Sequence, residues 1–127
     1  MDIDPRLKAT AEAVIQKLMD DVRGLKAVVI STEDGFEIAA RVENTAQISR
    51  LAAMASSLAA LGAIAGEESQ LGNCDNIMIG AAQGSLIMMQ AKHSTMALII
   101  SMVAGKDAVI GQVLYASRRA SQKLETA

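Results

Sequence analysis

The feature that most constrains this chain is the segment from Thr45 to about Gly66. A stripe at helical spacing runs through it: Ile48, Leu51, Met54, Ala55, Leu58, Leu61, Gly62 and Ala65. The intervening positions are also mostly small, with Ala52, Ala53, Ser56, Ser57, Ala59, Ala60 and Ala63. A helix that is apolar nearly all round must be covered on more than one side. Its small side chains also let the covering backbone approach closely. Thr45 is the expected N-cap, and the helix is expected to end near Gly66 or Gln70.

Around this helix the sequence places two more helices and five strands. Asp4-Pro5 reads as an N-cap followed by proline at the first helical position. Leu7, Ala11, Val14, Ile15, Leu18 and Val22 then recur at helical spacing before Gly24, which predicts a helix over residues 5–22. Leu25–Thr32 is rich in β-branched residues, and Glu33-Asp34-Gly35 separates it from Phe36–Ala39, a hairpin signature. Further strands are expected at Asn76–Ala81, Ser85–Ala91 and Thr95–Val103. Leu86–Met89 and Met96–Ile100 do not alternate, so both faces of the sheet are expected to be buried. Gly105-Lys106-Asp107 is expected to open a last helix reaching about Leu124, with Asp107 as its cap. Val109, Ile110, Val113, Leu114, Ala120 and Leu124 form one face of that helix, and Arg118, Arg119, Gln122 and Lys123 another.

The order α-β-β-α-β-β-β-α predicts an α/β (α+β) fold, a five-stranded, mostly antiparallel sheet with helices on both faces. The chain has 127 residues, of which 51% are hydrophobic and 20% charged, as expected of a single domain over residues 1–127 with a packed core. If helices one and three share a face, helix two alone must shield the other. Its surplus apolar surface predicts a partner, most economically a second copy.

Charge and composition exclude several classes of function. Twelve Lys and Arg against 14 Asp and Glu give a net charge of -2, with no electrostatic footprint for nucleic acid. Aromatic residues are 2%, only Phe36 and Tyr115, too few for base-stacking platforms. Cys74 and His93 are single, so neither an intrachain disulfide nor a conventional zinc cluster is expected. The acidic start, Met1-Asp2-Ile3-Asp4-Pro5-Arg6, has no apolar region behind a basic one. The uncharged stretch Leu51–Gly66 falls short of the roughly 20 residues that span a bilayer. A cytoplasmic protein without membrane insertion is expected.

No residue reads as catalytic. Ala104-Gly105-Lys106-Asp107 follows a strand and precedes a helix, as a P-loop does, but Ile100 and Asp107 stand where glycine and Ser or Thr are needed. Gly80–Ser85 lies between strands and reads as a hairpin turn. His93 and Ser94 are adjacent on a turn and point apart, so His93 reads as an exposed turn histidine. Cys74 has no basic neighbour to activate it. Glu67 and Glu68 face about 100° apart on a helix. The expectation is a non-enzyme with no cofactor and no metal.

The chain resembles the roadblock/dynein light chain family in its bacterial form. Gly24-Leu25-Lys26-Ala27-Val28-Val29-Ile30-Ser31-Thr32-Glu33-Asp34-Gly35-Phe36-Glu37-Ile38-Ala39-Ala40 looks like the family's first hairpin. The Ala-rich helix 46–66, three apolar strands and the amphipathic helix from Asp107 follow in the family's order, covering roughly residues 7–122. The resemblance implies a non-catalytic homodimer, or a heterodimer with a related domain. In such a dimer the edge strands pair and the Ala-rich helices meet across a two-fold axis. In this sequence the implied interface comprises Leu51, Met54, Ala55, Leu58, Leu61 and Gly62 on the helix. On the edge strand it comprises Asn76, Ile77, Met78 and Ile79. The resemblance further implies a regulator or adaptor of a small Ras-like GTPase, one that remodels its partner's own loops and inserts no arginine finger. Arg41, Arg50, Arg118 and Arg119 are candidates for contact with an acidic partner. Two other functions compete, a passive scaffold subunit and a small-molecule sensor. The uniformly aliphatic core offers a sensor no convergent polar groups.

Overall fold

The structure, a computed structural model, describes residues 3–127; Met1 and Asp2, which open the acidic start, lie outside them. The described residues form α1 (Pro5–Asp21), β1 (Leu25–Thr32), β2 (Glu37–Arg41), α2 (Ala46–Glu68), β3 (Asn76–Ala81), β4 (Gly84–His93), β5 (Met96–Gly105) and α3 (Ile110–Glu125). The strands make one sheet in the order β2-β1-β5-β4-β3, and every pairing is antiparallel. The predicted element order and sheet are those observed.

α1 starts as expected, with the Asp4 carboxylate accepting from the Arg6 amide at 2.9 Å and proline in the first turn. Leu7, Ala11, Val14, Ile15 and Leu18 are buried. They pack with Val113, Ala120 and Leu124 of α3 on Val28, Ile30, Ile87, Met89, Ile100 and Met102 of the sheet. The other face of the sheet belongs to α2. Leu51 and Ala52 cover Ala27 and Val29, and Ala55 and Ala59 cover Met88 and Ile99. Strand residues alternate between these two layers, which is why β1 is buried at seven of eight positions.

Four local expectations change. The first turn spans residues 33–36, so β2 begins at Glu37. The Thr32 hydroxyl donates to the Asp34 carboxylate at 2.6 Å and accepts from the Phe36 amide at 3.1 Å, and Gly35 takes a φ of +96°. Thr45 does not cap α2. Its backbone is already helical and its side chain makes no cap bond, whereas the Asn44 carbonyl Oδ1 accepts from the Ala46 amide at 3.0 Å. α3 begins at Ile110, not near Asp107. Residues 105–108 are held in a turn by Ala108 N–H to Gly105 O and by Gly105 N–H to Gly24 O, and Val109 is 59% exposed. His93 is half-buried at the end of β4, with Nδ1 3.0 Å from the Leu124 carbonyl oxygen. A carbonyl only accepts, so Nδ1 carries the proton.

Candidate interaction surface

α2 lies across the sheet from β1 toward β3, and its underside is consumed by its own protomer. Leu51 (5% exposed) and Ala55 (0%) face the sheet, so within one protomer they are already covered. Gly62 is half-buried, and a Cβ there would stand 2.9 Å from the Cys74 Sγ and 3.0 Å from the Ile77 Cδ1. Leu58 and Ile77 are half-buried and share one cluster with Met88 and Ile99. By length and composition α2 is the helix among the described residues that is apolar enough to cross a membrane. The length argument against a span therefore does not hold for the folded helix, and its docked underside is what ties it to the sheet.

The outer side of α2 is different. Met54, Leu61 and Ile64 are 44%, 60% and 58% exposed. Between Ala46 and Gly66 the only charged residue is Arg50. β3 continues this patch as an edge strand that pairs with β4 alone. Asn76 is half-buried, while Met78 and Ile79 stay exposed. Ile79 sits opposite Leu86 on the α2 side and Met78 opposite Ile87 on the α1–α3 side. Ile64 and Leu71 are large exposed apolar residues outside the predicted set. Ile64 was legible as the position three beyond Leu61, whereas Leu71 follows the helix end and carries no periodic signal.

The four arginines are not brought together. Arg41 is engaged within the chain, donating to the Gln16 side-chain oxygen at 2.6 Å. Arg50 is exposed near the start of α2, and Arg118 and Arg119 are exposed on α3, across the sheet. Arg119 donates to the Tyr115 hydroxyl at 3.2 Å.

The sequence profile of the Roadblock/LC7 domain matches residues 12–101. The chain belongs to the Roadblock/LC7 domain family. Solved structures share its fold. A Roadblock/LC7 domain from Streptomyces avermitilis aligns with a TM-score of 0.82 at 18% identity, covering 91% of this chain and 94% of that one. Myxococcus xanthus MglB aligns with a TM-score of 0.84 at 16% identity, covering 99% and 92%. The gliding protein MglB of Thermus thermophilus gives 0.84 at 16%, covering 98% and 92%. None of the curated protein sequences matches the chain.

This Roadblock/LC7 domain carries an open groove of about 510 Å³. Its walls are Thr32–Asp34, Ser56 and Ala60 of α2, and Thr95–Ala97. The Thr32 hydroxyl is engaged with Asp34 and Phe36, and Glu33, Asp34, Ser56 and Thr95 supply the other polar groups of the groove walls.

Proposed function

We propose that this Roadblock/LC7 domain is a cytoplasmic homodimer that regulates a small Ras-like GTPase through protein contact, without catalytic residues of its own. The observation that carries the reading is the continuity of the bare outer face of α2 with the unpaired edge of β3. An exposed apolar helix beside an open strand edge is an aggregation liability in a lone chain. Pairing β3 with its copy would complete the backbone ladder and bring Leu61, Ile64 and Met54 of each α2 under cover. A two-fold arrangement closes on itself and removes both liabilities at once.

The fold shared with MglB of two bacteria supports the GTPase as partner. The dimer would act by binding one conformation of the GTPase loops better than another, which shifts their population. Such stabilisation helps hydrolysis when the favoured conformation positions the partner's own catalytic groups. Arg41 is tethered to Gln16, so it is not poised to enter another protein's active site.

The test is binding of a small Ras-like GTPase from the same genome, loaded in turn with a non-hydrolysable GTP analogue and with GDP. Preference for one nucleotide state, together with a changed hydrolysis rate, supports regulation. Equal binding in both states with unchanged hydrolysis favours a passive scaffold.

A further inference from the structure

We propose that the outer face of α3, centred on Tyr115 and Arg119, docks an acidic segment of a partner protein. This face lies across the sheet from α2, so it remains open when α2 and β3 are covered. The inference depends neither on self-association nor on the partner being a GTPase.

Tyr115 is one of two aromatic residues in the chain and is 64% exposed. It points away from the buried stripe of Val113, Ser117, Ala120, Ser121 and Leu124, so the core gives no reason for an aromatic ring there. Arg119 is laid against it, with the guanidinium carbon 5.8 Å from the ring centroid and Nη1 donating to the hydroxyl. That leaves most of the guanidinium donors free. Among the described residues the one ion pair is Lys17–Asp21, so Arg118, Arg119 and Lys123 have no carboxylate partner. From Ile110 to Lys123 the helix holds no acidic residue, a local reversal of charge on a net negative chain.

A carboxylate fits this arrangement. It can accept two parallel bonds from the Arg119 fork while its stem lies along the Tyr115 ring. Tyr and Arg are also the residue types that dominate the energies of protein interfaces. The helix that carries the pair is anchored. Ser121 donates to the Gln90 carbonyl at 2.8 Å and His93 to the Leu124 carbonyl at 3.0 Å, fixing the last turns of α3 to β4. Binding there orders side chains but not the helix backbone. Three cations are fewer than the about 4–8 clustered Lys and Arg of an anionic-lipid site, or the many phosphate contacts of a duplex. A protein segment is therefore the favoured ligand.

The test is selection of short random peptides displayed on phage against the purified full chain, with affinities then measured by fluorescence polarisation. Enrichment of peptides rich in Asp and Glu is expected. Their affinity should fall at least about tenfold in Arg119→Glu and in Tyr115→Ala, less in Arg119→Lys, and not at all in Lys8→Glu on α1. Arg118→Glu is the second charge variant should Arg119→Glu lose its circular dichroism signature. The proposal is overturned if no peptide enriches, if the enriched peptides are neutral or basic, or if acidic peptides ignore both charge reversals. Tighter binding to phosphatidylserine vesicles or to a short DNA duplex than to the peptides also overturns it.

Discussion

A methyl group built on Gly62 would stand 2.9 Å from the sulfur of Cys74, so the backbone of α2 closes on the segment that leads into β3. One turn further on, a Cβ at Gly66 would meet the carbonyl oxygen of Gly72. The two glycines differ in what must yield. Around Gly62 the neighbours are the Cys74 and Ile77 side chains, whereas at Gly66 the neighbour is backbone. Alanine favours a helix over glycine by roughly 1 kcal/mol, and overpacking costs about 1–3 kcal/mol. Gly66→Ala should therefore lose about 2 kcal/mol and Gly62→Ala less than about 1 kcal/mol. Urea denaturation reads both, and the reverse order would show that the helix end packs differently.

The two residues that precede α2 make a second contrast. Asn44 caps the Ala46 amide and Thr45 caps nothing. Asn44→Ala should cost about 1 kcal/mol, and Thr45→Ala should leave stability nearly unchanged. A larger loss at Thr45 would restore the assignment suggested by sequence.

The end of α2 carries strain that glycine would relieve. Gln70 adopts a φ of +59°, the Leu71 amide bonds the Gly66 carbonyl and the Gln70 amide bonds the Glu67 carbonyl. That is a Schellman closure, whose left-handed position favours glycine. Gln70→Gly should raise stability by about 1 kcal/mol. A loss in thermal or urea unfolding would mean that the glutamine side chain makes a contact worth more than the strain.

The fold was legible because its signals are local and agree. Helix periodicity, the Asp-Gly turn and the non-alternating strands each specify the same layered sheet. What sequence misplaced depends on contacts distant in the chain or on capping geometry. His93 meets Leu124 from 31 residues away, and no spacing rule anticipates that bond. Asn44 and Thr45 are both good capping residues, and only the backbone conformation decides between them. The two sides of α2 are not separable by sequence for a related reason. In a helix that is apolar all round, composition cannot tell the underside from the outside, so the buried Leu51 and Ala55 share one stripe with the exposed Met54 and Leu61.

Polar groups under α2 give another expectation. The hydroxyls of Ser31 and Ser101 are buried without a hydrogen-bond partner among the described residues. An unpartnered buried hydroxyl costs about 1–3 kcal/mol, so Ser101→Ala should keep or raise stability, by up to about 1 kcal/mol, where most core truncations lower it. A clear loss would mean that the hydroxyl finds a partner in solution, such as a bound water.

The most direct test of the central claim is solution mass, measured by light scattering or sedimentation for the parent chain and for Leu61→Arg. Leu61 is 60% exposed, so the substitution leaves the protomer's own core untouched. In a two-fold seam, however, it would bury an unpaired charge, at a cost of several kcal/mol. The parent is expected to have twice the 13.3 kDa chain mass. The variant is expected to run as a single chain with an unchanged circular dichroism spectrum. A parent that runs as a single chain, or a Leu61→Arg variant that keeps the parent's doubled mass, would contradict the two-fold seam.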